Sequence, residues 1–176
     1  MRKIKLYIAM SLNGKIADSD GGVDWLESIP NPNEDDYGYI EFVDSIDATI
    51  QGSKTYQQII DWNIEFPYAD KKNYVVSNKQ SRQDTEFVEF ITDNHIEFIK
   101  LLREETGKDI WLIGGGRVNT MLLNANLIDE LQVYVIPIVL SGGIELFEHI
   151  PKETRLTLRE TQAYSSGVVE LKYGVN

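Results

Sequence analysis

A continuous apolar run, Ile110-Trp111-Leu112-Ile113, leads straight into Gly114-Gly115-Gly116-Arg117-Val118. Contiguous glycines let the backbone turn sharply and approach a ligand closely. The helix expected from Val118 to Asn126 would begin just beyond them. Its first N–H groups and partial positive charge make a natural seat for an anion such as a pyrophosphate. Arg117 adds a permanent cation. The same residues would also serve as a tight strand-to-helix turn with no ligand. A second candidate, Gly52-Ser53-Lys54-Thr55, follows an apolar strand pattern and precedes a helical one, Tyr56 to Ile60. Lys54 and the Thr55 hydroxyl suit phosphate oxygens, although serine and threonine are also ordinary helix caps.

Two further segments carry polar groups that could act on a substrate. Ser11-Leu12-Asn13-Gly14-Lys15-Ile16-Ala17-Asp18, followed by Gly21-Gly22 and Asp24-Trp25, is a long polar loop directly after the first strand. It reads either as a lid over a site or as a surface loop. Glu34-Asp35-Asp36 opens a helical pattern, where carboxylates favour the helix dipole. A catalytic carboxylate there would need apolar walls, which Tyr37, Tyr39 and Trp25 are placed to supply. His95 and His149 lack metal-ligand spacing and read as structural or surface residues, so no metal site is expected.

Other chemistries are excluded by what is missing. With no cysteine, thiolate metal sites, disulfides and cysteine nucleophiles fall away. The glycines are contiguous, and no acid follows about 20 residues on, so this is not the Rossmann fingerprint; Gly52 to Thr55 is not a P-loop, nor is there a G-x-S-x-G elbow. A formal net charge of −11 argues against nucleic acid or an anionic membrane as partner. An anionic cofactor must then be held by local N–H groups and a few cations. The charged start, the lack of a long apolar run and the lack of cysteine together lead to the expectation of a cytoplasmic protein.

These segments need a scaffold, and 176 residues fit one domain, 1–176. Strands are expected at Ile4 to Ile8, Ala48 to Ile50, Tyr74 to Val76, Phe87 to Ile91, Ile110 to Ile113 and Leu131 to Leu140. Leu156 to Leu158 and Val168 to Leu171, separated by Tyr164-Ser165-Ser166-Gly167, read as a terminal hairpin. Helices are expected from Asp36 to Ile46 and from Asn94, as cap, to Glu105, with Gly107 as terminator. Strands alternating with helices imply a mostly parallel sheet covered on both faces.

Taken in chain order, these motifs resemble the dihydrofolate reductase-like superfamily over nearly the whole chain. Ser11 to Ala17 and Pro137-Ile138-Val139-Leu140-Ser141-Gly142-Gly143 are most similar to the C-terminal reductase domain of the bifunctional riboflavin-biosynthesis deaminase-reductase, here without a deaminase half. The resemblance implies an α/β three-layer fold: a central, mostly parallel mixed sheet, flanking helices and a C-terminal antiparallel hairpin. It implies NADPH as cofactor, with NADH the alternative. Contacts to it would come from Asn13, Gly14, Ile16, Gly52, Ser53, Lys54, Thr55, Ser77, Asn78, Ile113, Gly114, Gly115, Gly116, Arg117 and Val118. The substrate, a small pterin- or aminopyrimidine-like heterocycle, would meet Ala9, Trp25, Asp36, Tyr37, Ile40 and Tyr134, with Asp36 the catalytic carboxylate. Ser53 stands where the family usually has an arginine for the cofactor 2′-phosphate; Ser77, Asn78, Lys79 or Arg82 would compensate. Lys71 replaces the arginine that clamps the folate tail, and Tyr134 a threonine supporting the carboxylate. A folate reductase proper and a non-catalytic nucleotide-binding domain are the alternative readings. A homodimer is the expected assembly.

Overall fold

A strand buried on both faces needs apolar side chains at successive positions, and the middle of this sheet meets that need. The computed structural model describes residues 1–176. Its strands are β1 (Ile4–Ser11), β2 (Lys15–Ala17), β3 (Ile46–Gly52), β4 (Lys72–Val76), β5 (Val88–Ile91), β6 (Asp109–Gly114), β7 (Glu130–Ile136), β8 (Ile144–Glu145), β9 (Leu156–Ala163) and β10 (Val169–Val175). The helices are α1 (Tyr39–Asp44), α2 (Ser53–Asp61), α3 (His95–Glu104) and α4 (Gly116–Asn124). Eight strands form one sheet in the order β5-β4-β3-β6-β1-β7-β10-β9. Neighbours are parallel from β5 to β7, and β10 is antiparallel to both β7 and β9. The layers and the closing hairpin are those of a dihydrofolate reductase-like α/β fold.

Strand alternation splits the core in two. Ile4, Leu6, Ala48, Ile50, Ile110 and Leu112 point to one face, where Ile99 and Leu102 of α3 and Val118, Leu122 and Leu123 of α4 cover them. Val75 and Trp111 point to the other, beneath Tyr56 and Ile59 of α2 and Phe42 of α1. β2 and β8 make a separate two-stranded sheet that no periodicity announces.

Several boundaries differ from the sequence pattern, each for a local reason. The expected Asp36–Ile46 helix shrinks to α1, because Tyr37 and Gly38 take left-handed φ values of 53° and 73° and Ile46 already belongs to β3. Asn94 precedes α3 but makes no side-chain cap, since its own φ of 45° turns it away from that role. The helix ends at Glu104 through an extended Glu105, not through Gly107. β7 stops at Ile136, since Pro137 has no N–H for the ladder. The helix after the glycines begins two residues earlier than expected, at Gly116.

The amino ends of the strands are tied by charge. Asp109 accepts from the Lys3 N–H at 2.9 Å and lies 2.8 Å from Lys5 Nζ. Burial raises its pKa, but the Lys5 and Lys3 hydrogen bonds outweigh it and the net direction is downward. A depressed folded-state pKa gives stability that is present above the ordinary value of 3.8 and lost as pH falls through the lower folded value. Asp109→Asn is therefore expected to lower Tm at pH 7 and to narrow its gap to the unaltered protein as pH falls below that point, measured by thermal melts across the acid range.

Candidate active site

The carboxyl ends of β3 and β6 bring the two glycine motifs together. Gly52 pairs with Val76, and a Cβ on it would lie 3.1 Å from Val118. The Gly114–Gly115 peptide is cis. Gly115 is half-buried in extended conformation, and a Cβ there would lie 3.4 Å from the Thr55 hydroxyl. Thr55 and Gly115 thus face each other across the start of two helices whose first N–H groups have no intrahelical partner. Neither α2 nor α4 carries a side-chain cap, so those donors stay available to an anion. Gly116 differs from Gly115. It is buried, and a Cβ on it would run into the Glu145 carbonyl and the Glu148 side chain. The Glu148 N–H donates to its carbonyl at 3.2 Å. Arg117 is exposed, with only a long ion pair to Glu148 at 3.8 Å. Ile113 is half-buried against the Trp111 cluster.

The Ser53 hydroxyl donates to the Val76 carbonyl at 3.0 Å and so ties α2 to the end of β4. Ser77 is buried and accepts from the Lys79 N–H. Arg82 lies over the Phe90 ring. That leaves exposed Lys54 and Lys79 beside Ser53, Ser77 and Asn78, and neither lysine is ion-paired.

The loop after β1 is held at several points. Asn13 Nδ2 donates to the Leu140 carbonyl at 2.9 Å, while its Oδ1 accepts from Ser11 and from Leu140 N–H. Gly14, at φ 79°, takes a hydrogen bond from Leu146 N–H. Half-buried Ile16 lies in β2, paired with β8. Gln58 of α2 donates to Gly21 O at 2.7 Å. The segment is thereby strapped across the carboxyl ends of the sheet. A recess of about 410 Å³, lined in part by Ser19, Glu145, Glu148 and His149, lies behind this strap.

Beyond it rises a wall of aromatic side chains. Ala9 pairs with Tyr134 across β1 and β7. Tyr7 stacks on Phe42 at 4.2 Å and lies 4.9 Å from the Tyr134 ring. Trp25, Tyr37 and Tyr164 pack on the Tyr134 cluster. Trp25 Nε1 is buried here without a protein acceptor. Tyr134 does not support Asp36; it donates to the Tyr37 carbonyl at 2.6 Å. Asp36 itself is exposed, and its two oxygens accept from the N–H groups of Gly38 and Ile40. The walls expected around it belong instead to Tyr7 and Tyr134. Ile40 is 66% exposed at the rim. Lys71 is neutralised by Asp70 at 2.9 Å.

Tyr7, Gln132, Tyr164 and Glu170 join this wall although sequence reasoning passed them over. Glu170 is buried on β10 and accepts from Gln132 at 2.7 Å and Tyr164 at 3.0 Å. The available signal was strand alternation: Glu170 and Lys172 face opposite to Val169 and Leu171. Burial drives the Tyr7 phenol up to about 12, partly offset by its hydrogen bond with Tyr134 and reinforced by the charges of Glu170 and Asp36. Tyr134 and Tyr164 are raised further, chiefly by burial and then by hydrogen bonding, with Glu170 adding charge. All three phenols keep their protons at neutral pH.

Residues 2–170 match the model of the RibD C-terminal domain. The chain belongs to the RibD C-terminal domain family. This RibD-type chain is 38% identical over 167 residues to the uncharacterised protein YwjB of Bacillus subtilis, with 95% of each chain covered. It superposes on a crystal structure from Shewanella sp. PV-4, described as a riboflavin biosynthesis protein, with TM-score 0.89, 26% identity and 99% of each chain covered. Dihydrofolate reductase from Enterococcus faecalis, complexed with NADP(H), shares the fold at TM-score 0.69 and 17% identity, over 99% of this chain and 96% of that one. Within the RibD-type chain, no helix is long and apolar enough to cross a membrane.

Proposed function

We propose that this RibD-type domain is an NAD(P)H-dependent reductase acting on a small nitrogen heterocycle of the pterin or aminopyrimidine kind. The observation that carries the reading is the narrow gap between Gly115 and Thr55, bounded by two uncapped helix starts. Donors without partners and a close backbone suit a pyrophosphate. When bound, a reduced nicotinamide would supply hydride, and the protein would supply alignment and charge. Gly52, Thr55, Gly114 and Gly115 would hold the pyrophosphate. Lys54 and Lys79, free of carboxylates, would answer a 2′-phosphate in place of the missing arginine and favour NADPH. The strap from Asn13 to Trp25 would exclude water from the ring.

Asp36 would anchor the heterocycle at the rim while Tyr7, Ala9 and Tyr134 form its floor. A folate reductase proper is less well supported, because Asp70 already occupies Lys71.

Titration with NADPH and NADH, read by quenching of Trp25 and Trp111, tests the cofactor site. Saturable binding, tighter for NADPH, is expected. Turnover is then tested with dihydrofolate and with a ribosyl-aminopyrimidine phosphate. Asp36→Asn should reduce turnover by ~100-fold, the lower end of what a single positioned acid or base contributes, while leaving NADPH affinity within a few-fold. Failure of both nucleotides to bind at millimolar concentration overturns the proposal.

A further inference from the structure

His95 stands at the start of α3, and its Nε2 lies 3.1 Å from the Ser77 carbonyl just beyond the end of β4. A carbonyl only accepts, so the imidazole donates from Nε2. The rest of Ser77 is held too. Its N–H donates to the Ile91 carbonyl at 3.0 Å, and its Oγ accepts from the Lys79 N–H at 3.1 Å. The Lys79 carbonyl in turn accepts from the Arg82 N–H at 3.2 Å. His95, Ser77 and Lys79 thus form one chain of hydrogen bonds that ends on an exposed lysine.

Of these contacts, the one to His95 sets the direction in which the chain leaves the strand. A peptide unit is planar and trans, so its N–H points opposite to its carbonyl. Drawing the Ser77 carbonyl towards α3 therefore turns the Asn78 N–H away from that helix. The start of α3 is itself a poor seat for an anion, because Asp93 and Glu97 flank His95. The turn is a better one. In a chain of net charge −11, the stretch from Ser77 to Gln83 carries Lys79 and Arg82 and no acid. Arg82 lies over the Phe90 ring, 5.4 Å from its centre, which leaves Lys79 as the exposed cation of the turn.

We propose that His95 is a positioning residue that sets the preference for NADPH over NADH: by holding the Ser77 carbonyl it fixes the turn that presents the Asn78 N–H and Lys79 to the 2′-phosphate. The inference rests on the reading of this end of the sheet as the seat of that phosphate. Holding the turn beforehand removes the cost of ordering it when the phosphate arrives. NADH carries a hydroxyl in place of that phosphate, so a loosened turn changes its binding little.

The test titrates the full chain with NADPH and with NADH, read by tryptophan quenching. The unaltered protein should bind NADPH the more tightly. His95→Ala should weaken NADPH ~5-fold, about the effect of one net hydrogen bond, and leave NADH within ~2-fold. His95→Gln, whose amide N–H reaches the same carbonyl without a ring or a charge, should restore NADPH to within ~2-fold of the unaltered protein. Ser77→Ala, which removes the acceptor of the Lys79 N–H, should reproduce the selective loss without touching His95. On a Lys79→Met background, His95→Ala should weaken NADPH by less than ~2-fold, since the group it positions is gone. A histidine that only braces the fold would weaken both nucleotides alike, and on either background. Equal weakening of both nucleotides by His95→Ala, no recovery in His95→Gln, or the full loss on the Lys79→Met background would each overturn the proposal. Equal affinity of the unaltered protein for the two nucleotides would overturn it as well. Failure of both nucleotides to bind the unaltered protein removes the reductase reading and this inference with it, whereas binding with an unchanged preference in His95→Ala removes the inference alone.

Discussion

Gly116→Ala is expected to cripple the fold. Its added methyl would meet the Glu145 backbone carbonyl and the Glu148 side chain. The Glu148 side chain can swing away; the carbonyl cannot. It is held by the β2–β8 pairing, and the following residues are fastened to α4 by Glu148 N–H to Gly116 O, Asn119 Nδ2 to Leu146 O at 2.9 Å and Thr120 Oγ1 to Glu148 O at 2.6 Å. Relief requires moving a whole strand segment off the helix. Overpacking that backbone cannot absorb should cost ~3 kcal/mol or more, a large share of a typical domain stability of ~5–15 kcal/mol. Thermal melting should fall by roughly 10 °C at this chain length. A melt within two or three degrees of the unaltered protein would show that the 145–148 segment yields freely.

One residue earlier, Gly115→Ala should leave stability almost untouched and abolish nucleotide binding. Gly115 has φ −73° and ψ −170°, which alanine adopts without strain. Its new methyl would sit at ordinary contact distance, 3.4 Å, from Thr55 Oγ1. The methyl would occupy the gap assigned to the pyrophosphate. NADPH affinity should drop ~100-fold or more, since excluded volume at the anchoring phosphates removes several kcal/mol of binding. The tryptophan titration and a melt of the same preparation measure both effects. Unchanged affinity would place the pyrophosphate elsewhere. Opposite outcomes at adjacent glycines would separate the packing role of the turn from its binding role.

The sequence made the glycine turn legible because both of its flanks are strongly patterned: an uninterrupted apolar strand before it and an amphipathic helix after it. The six parallel strands and the terminal hairpin were legible for the same reason. What the pattern hid is short or depends on partners. β2 and β8 have three and two residues, too few to show a period. The α1 start was misjudged because Tyr37 takes positive φ, a state that no tyrosine advertises. Gly116 lies inside α4 although glycine is a poor helix former, and only its close contact with the 145–148 segment explains its presence. Asp36 was legible as a carboxylate near a helix start, but its exposure depends on where α1 begins. Glu170 reads locally as the polar side of an alternating strand; its burial comes from Tyr134 and Tyr164, one 36 residues away and the other across the hairpin turn.

The stitching of Asn13 to Leu140, separated by 127 positions, carries a consequence for the birth of the protein. Strand β1 leaves the ribosome early, yet the Asn13–Ala17 part of the loop that follows it lacks its long-range partners until the segment from Leu140 to Leu146 has also emerged. A nascent chain halted before that point would possess both glycine motifs and most of the parallel sheet, but its strap would hang open. The closed strap is therefore acquired late in synthesis, and truncations that spare every residue of the glycine turn would still yield a chain whose first loop is open to proteolysis.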